Sequence, residues 1–392
     1  MSTFPLSGIR VLDVTTTIFG PYTTQILGDF GADVIKIEAL GGDVTRDIGP
    51  KRNADMGALF LGVNRNKRSI VIDLKTNIGK AALWRLIETA DVFVHNMRAQ
   101  KVIDLGFGPE AVQARKTDII YAGLHGFLSD GPYAGKPAYD DVVQGLSGIA
   151  GAFATRDGDP KLIPSAISDK NAAWVAAAVI LSSVISRFRT GKGCYFETGM
   201  FEGMSAWNLV EHLHGETFSP PLSNMGYPRM MTSNRRPHRT KDGYLCLLAY
   251  TDSQWQKFWS LTNKPENAKD PRFTTMTERS RHIGELYSAA RDELVTRTSS
   301  EWLSLLDEAD IPAGPVNSFD DLRQDPHLDA IGFFRSHPHP SEGDLISLDT
   351  GYRLNGRPIP VHRHQPRLGE HTADILADLG FSHSEIQELI GD

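Results

Sequence analysis

The chain has 392 residues, of which 40% are hydrophobic and 23% charged; this is ordinary globular composition and argues against intrinsic disorder. A net charge of −7 gives no general attraction to nucleic acid or anionic membrane, so an anionic ligand must be held by local cations or amides. The two distant cysteines, Cys194 and Cys246, build neither a disulfide framework nor a cysteine-rich zinc site.

In chain order, "MSTFPLSGIRVLDV" lacks the basic and apolar regions of a signal peptide. The most apolar run, Ala172 to Ile185, is too short to span a bilayer. A cytoplasmic protein is expected. "GIRVLDV" reads as a buried strand and "GPYTTQILGDFG" as a helix with proline in its first turn and glycine at its end. "ADVIKIE" completes a βαβ unit. Further strands are expected at 69–74, 90–96 and 118–124, with helices over "NIGKAALWRLIETA" and within 101–116. Short β-branched runs alternating with helices predict an α/β fold around a largely parallel sheet. The first strand–helix turn, "DVTTTIFGP", is not a dinucleotide fingerprint, and no phosphate-binding P-loop motif occurs. Near residue 215 the composition turns rich in Pro, Ser, Arg and Gly, as a linker would. "GYLCLLAYT", "DSQWQKFWSLT" and "SSEWLSLLDEA" then predict a second, smaller α+β domain. A loop-rich stretch leads to two final helices, the last opened by Ser382 and Glu385 at capping-box spacing.

Several residues invite a chemical reading beside a structural one. Arg65, Lys67, Arg68 and Lys75 in "NRNKRSIVIDLK" form the densest basic cluster, suited to phosphate or to a solvated turn. Asn96 and Arg98 in "HNMR" fall at the carboxyl end of a parallel strand, where open α/β sheets bind ligands. Tyr139, Asp140 and Asp141 open a helix, and either acid can cap it. The histidines have no acidic or cysteine partner at ligand spacing, so no metal is expected, and no serine-hydrolase elbow is found. Asp169 begins a helix of 170–188 that is rich in alanine. It reads as an N-cap, or as a nucleophile kept ionised by the helix terminus; the two roles are compatible.

Taken together, "GIRVLDVTTTIFGPYTTQILGDFGADVIKIE", "GGDVTR", "NRNKRSIVIDLK", "SDKNAAWVAAAVILSSVISRFRTGKG", "IPAGPV" and "LGEHTADILADLG" resemble the class III CoA-transferases, the CaiB–BaiF group, in order over nearly the whole chain. The resemblance implies a Rossmann-like large domain from 1–215 plus 330–392, an inserted small α+β domain at 225–325, and an interlocked homodimer. It implies transfer of coenzyme A from an acyl-CoA to a carboxylic acid through a covalent intermediate on Asp169. No permanently bound cofactor is implied, the CoA thioester being substrate. CoA contacts carry over to Ile72, Lys75, Asn96, Met97, Arg98 and Leu105, and active-site positions to Tyr139 and Asp140. The chain departs from the family at "NMRAQ", where N-F-R-P-G is frequent, at Asp104, where arginine is frequent, and at "NMGYPRMMTSN", where formyl-CoA transferases carry a glycine-rich flap. Alternatives are a 2-methylacyl-CoA racemase, whose histidine position is Tyr139 here, and a non-catalytic CoA-binding protein.

Overall fold

Six strands run parallel: β1 (Arg10–Val14), β2 (Asp33–Glu38), β3 (Lys67–Val71), β4 (Val92–His95), β5 (Ile120–His125) and β6 (Cys194–Gly199). Their order in the sheet is β3-β2-β1-β4-β5-β6. This is the Rossmann order, with its switch point between β1 and β4. The computed structural model describes residues 4–390, which fold as two compact units. The sheet belongs to the first, which takes in the chain up to Ser147, Leu162–Trp207 and everything from Ala330 on.

The strands form because they are apolar on both faces, as a sheet covered by helices on both sides requires. Val11, Leu12, Val34, Ile35 and Phe93 are all buried. Around the sheet lie α1 (Phe19–Asp29), α2 (Asn77–Thr89), α3 (Ala99–Asp104), α4 (Asp140–Leu146) and α5 (Ile167–Thr190). In α2, Thr76 caps the first turn by accepting from the Gly79 amide at 3.0 Å, and Ala82, Leu83, Leu86 and Ile87 make the stripe buried on the sheet. The C-terminal helices Thr372–Asp378 and His383–Ile390 add Ile375, Leu376 and Leu389 to the same core. The Ser382–Glu385 capping box is present: the Ser382 amide donates to Glu385 at 2.7 Å and the Glu385 amide to the Ser382 hydroxyl at 3.4 Å.

Three features differ from the sequence reading. β3 begins at Lys67 rather than 69 and takes in the polar "KRS", because those side chains find partners described below. The stretch before residue 365 is not all loop, since Phe334–His339 and Gly343–Leu348 pair as a hairpin. Finally, α5 is 24 residues long and begins at Ile167 rather than 170, so the apolar run Ala172 to Ile185, too short for a bilayer by itself, lies inside a longer helix. By length and composition it is long and apolar enough to cross a membrane. In this fold its alanine face packs on α1: Ala172, Ala173, Ala176 and Ala177 are buried, and the Thr23 hydroxyl reaches the Ala173 carbonyl at 3.4 Å. Small side chains let the two backbones approach this closely.

The second unit comprises Gly148–Lys161 and Asn208–Asp329. It takes in residues 148–161, which the sequence reading assigns to the larger domain. In the fold Gly148, at φ 88°, starts the helix Ile149–Asp157, which packs with Pro228–Met231 of this unit. A three-stranded antiparallel sheet joins His238–Arg239, Tyr244–Leu247 and Ala313–Pro315. Helices Asp252–Ser260 and Ser299–Glu308 each start with a capping box, Thr251 with Gln254 and Thr298 with Glu301. They bury Trp255, Phe258, Trp259 and Trp302 in an aromatic core.

Candidate active site

The loops after β1 and β4 meet at the switch point of the sheet. Asn96 ties them: it accepts from the Thr16 amide at 3.1 Å and donates to the Thr16 carbonyl at 2.8 Å. Thr17 is held at φ 75°, a conformation that costs a β-branched residue about 1–3 kcal/mol. Its amide donates to Asp43 at 3.2 Å, which offsets part of that cost.

Below this loop lies a wholly buried charge cluster. Lys67 donates to Asp13 at 2.9 Å, to Asn64 at 2.7 Å and to the Pro21 carbonyl at 2.8 Å, so its three protons are all used. Lys36 bonds Asp43 at 2.9 Å and the Thr15 carbonyl at 2.8 Å. Arg46 grips Glu38 with two bonds, at 2.6 and 2.7 Å. Burial opposes the charge on Asp13, but Lys67, Lys36 and the Thr15 and Thr24 hydroxyls outweigh it and hold its carboxyl well below the usual range. The basic cluster expected to receive phosphate is thereby corrected. Lys67 is buried in this network, Arg65 pairs with Asp29 at 2.7 Å, and Arg68 pairs with Asp33 at 2.6 Å. Of the four cations only Lys75 is exposed.

A cavity of about 240 Å³ opens above the loop, lined by Thr16, Thr17, Phe19, Asn96, Arg98, Ala99, His125, Lys136, Tyr139, Asp169 and Met200 among others. The structure therefore brings together four of the residues expected from sequence: Asn96, Arg98, Tyr139 and Asp169. Tyr139 is 70% exposed. Ile72, Met97 and Leu105 lie outside the cavity walls, with the Ile72 side chain in the core and Met97 and Leu105 packed against it. Lys75 also lies outside, in the turn after β3, its amide bound to Asp73 at 2.9 Å. Asp104 bonds Gln100 at 2.7 Å.

Asp169 is not the N-cap of its helix. That position is Ala166, and Asp169 is the third residue inside. The cap comes from another helix: Asp140 accepts from the Ser168 amide at 2.7 Å and the Asp169 amide at 3.0 Å through one oxygen. Its other oxygen accepts from Gln144 at 2.6 Å. Asp140 is buried and serves α5 rather than α4, which neither reading of "AYDD" anticipated. This division leaves the Asp169 carboxylate at the cavity wall with no ion-pair partner among the described residues. Burial first, then the Asp140 charge, push its pKa up to about 6, against the Phe19 amide and Lys170, which lower it. An acid with that pKa is mostly ionised at pH 7 and poorly solvated, and both conditions favour nucleophilic attack.

His125 was missed on sequence because nothing local distinguishes it from the other scattered histidines. It stands at the end of β5 and lines the same cavity. A methyl group at Gly123 would lie 2.7 Å from its Nε2, so glycine there makes room for the ring. Burial holds its pKa below the ordinary value although Glu197 opposes this, which favours the neutral imidazole. No cluster of three metal-ligating side chains occurs among the described residues.

Residues 6–372 match the sequence profile of CoA-transferase family III. The succinate–glutarate CoA-transferase of Agrobacterium fabrum (strain C58) is 32% identical over 383 residues, covering 96% of each chain. The formyl-CoA:oxalate CoA-transferase of Rhodopseudomonas palustris (strain BisA53) is 32% identical over 410 residues, covering 98% of this chain and 96% of its own. Among solved structures, Rv3272 from Mycobacterium tuberculosis superposes with a TM-score of 0.82 at 29% identity, over 94% of this chain and 98% of its own. A CAIB/BAIF family protein from Brucella suis does so at 0.80 and 30%, over 96% and 100%.

Proposed function

The chain belongs to CoA-transferase family III, and from that premise we propose that it moves coenzyme A between a donor acyl-CoA and an acceptor carboxylate through a covalent intermediate on Asp169. The observation that carries this reading is the unpaired, half-buried carboxylate at the switch point, with a separate acid capping its helix. An Asp169 oxygen attacks the thioester carbonyl, and the carbon–sulfur bond breaks to give a mixed anhydride and the CoA thiolate. The thiolate then attacks the aspartyl carbonyl, releasing the donor acid and leaving an aspartyl-CoA thioester. The acceptor carboxylate attacks that thioester, freeing the thiolate and forming a second anhydride. Thiolate attack on its acyl carbonyl yields the new acyl-CoA and restores Asp169. No step gains or loses a proton, so the site needs donors for each oxyanion rather than a general acid.

Coenzyme A binds along the carboxyl edge of the sheet. Three strand spacings separate β3 from β4, roughly 14 Å, and an extended CoA covers that distance. Lys75, in the turn that follows the buried Ile72, meets one end, Leu105, Met97 and Arg98 follow, and Asn96 with Tyr139 borders the thioester. The names of the relatives point to small mono- and dicarboxylic acids as co-substrates. Incubation with acyl-CoA followed by hydroxylamine or borohydride tests the mechanism. A modified peptide containing Asp169 is expected, and turnover without any adduct there removes the covalent route.

Racemisation of a 2-methylacyl-CoA is a second reading, favoured by His125 and Asp169 lining one cavity. Chiral analysis of recovered acyl-CoA separates the two. We also propose a dimer. On α5, Trp174, Val175, Ile185 and Phe188 are between 40% and 73% exposed, a stripe of hydrocarbon that a second copy would cover. Sedimentation at decreasing concentration should yield no folded monomer; a reversible monomer would count against interlocked chains.

A further inference from the structure

One side of the Asp169 cavity takes no part in the covalent steps. On the transferase reading, on which this inference rests, coenzyme A runs along the sheet edge from β3 to β4. The next strand beyond β4 is β5. The acyl group past the thioester therefore extends toward β5, and the two acids occupy that place in turn, because the two halves of the transfer mirror each other. His125 ends β5, and the loop that follows adds Phe127 and Lys136 to the cavity wall.

Of the polar side chains on that wall, only Thr17, Asn96, His125 and Asp169 are not exposed. Thr17 belongs to the loop after β1, on the coenzyme side, and Asn96 is spent on both backbone groups of Thr16. The His125 ring makes no hydrogen bond among the described residues, yet its nitrogens keep accessible surface, whereas Nδ1 of the neighbouring His95 is sealed. The ring is held in place. His95 lies edge-on to it at 5.6 Å, Gly123 leaves room for its Nε2, and its register partner on β6 is Gly199, which has no side chain. Glu197 does not compete for its proton, since it already accepts from the Ser129 amide at 3.1 Å and from the Tyr195 hydroxyl. A neutral imidazole so placed offers one N–H to a ligand oxygen.

Lys136 supplies charge on the same side. Its ammonium rests 4.3 Å from the centre of the Tyr133 ring and makes no ion pair among the described residues. Phe19, Phe127 and Met200 give the wall buried hydrocarbon. At about 240 Å³ the cavity is smaller than the roughly 300–1,000 Å³ usual for drug-sized ligands, so it suits a short acid rather than a long acyl chain. An imidazole N–H and an ammonium beside hydrocarbon match a short chain that ends in a second carboxylate.

We propose that His125, together with Lys136, determines specificity by holding the far carboxylate of a short dicarboxylic acid while its near end reacts at Asp169. Glutaryl-CoA and pentanoyl-CoA have acyl chains of equal length and differ in that carboxylate. Each is incubated with the full-length protein, the mixture is quenched with hydroxylamine, and the rate of modification of the Asp169 peptide is followed by mass spectrometry. Wild type should be labelled about tenfold faster or more by glutaryl-CoA, the scale of a hydrogen bond to a charged group. His125→Leu should bring the ratio of the two rates toward one, and Lys136→Gln, a change at an exposed side chain, should lower it. His125→Gln keeps an N–H donor and should preserve more of the ratio than Leu; a merely space-filling histidine predicts that the two behave alike. Because both rates are measured on one protein, a reduced folded fraction cancels from the ratio. Equal rates in wild type, or an unchanged ratio in His125→Leu, overturns this assignment and leaves covalent transfer standing. No labelling of wild type by either thioester overturns the transferase reading and this inference with it.

Discussion

Asp13 and Asp169 lie in the same unit, one at the end of a strand and the other near the start of a helix, yet their carboxyls are driven in opposite directions. Asp13 is completely buried and sits well below the ordinary range, because two lysines and two hydroxyls outweigh the cost of burial. Asp169 is only half-buried and rises to about 6, because burial and a neighbouring carboxylate are opposed only by one amide and Lys170. Burial alone therefore does not mark a reactive acid. What separates the two is whether the surroundings satisfy the charge. The buried cluster is paired and shapes the Thr15–Thr17 loop; the cavity acid is left without an ion-pair partner, at a cost to stability.

Asp169→Asn tests this contrast most severely. Transferase turnover should fall about 10⁴-fold, the scale for loss of a nucleophile. The folded state should nevertheless gain stability at pH 7, on the order of 1–2 kcal/mol once solvent screening is allowed for. A raised carboxyl pKa makes ionisation unfavourable to the fold from about pH 4 upward and fully so above 6. The gain should accordingly shrink toward pH 4 in urea titrations. A destabilised Asn variant would mean that Asp169 is paired as Asp13 is.

Lys67→Met makes the reverse experiment. It strands the Asp13 charge in the interior and should cost about 3–5 kcal/mol, measured by denaturant unfolding. A cost below 1 kcal/mol would show that water reaches the cluster. Asp140→Asn is gentler, because the amide oxygen still accepts from the helix while the charge is gone. The acid limb of the kcat/KM profile, expected near pH 6 in the wild type from the Asp169 value, should move to lower pH. An unmoved limb would assign it to another group. The smallest effect separates free cations from spent ones: Lys75→Ala should weaken CoA binding by about 1 kcal/mol, while Arg68→Ala, already paired with Asp33, should leave the affinity unchanged in calorimetry.

Much of this was legible in the sequence, and for local reasons. Apolar runs bounded by glycine and proline gave the parallel strands, and Ser382 with Glu385 gave a capping box, because periodicity and turn chemistry act over a few residues. The position of "HNMR" at the end of a strand brought Asn96 and Arg98 to the cavity. Asp169 and Tyr139 stood out at the starts of two helices, and the family's likeness gave them their expected roles. Distances between remote segments decided the rest. "NRNKRS" reads as a phosphate-binding surface until Lys67 is seen 54 positions from its partner Asp13. Asp169 reads as a helix cap until Asp140, 28 residues before Ser168, takes the amides. His125 stays one histidine among thirteen until β5 carries it to the cavity. Composition and pattern determine which segments become strands and helices. Which charges cancel and which one is left unpaired at a cavity depends on Coulomb and desolvation energies across folded distances, and only the tertiary structure sets those.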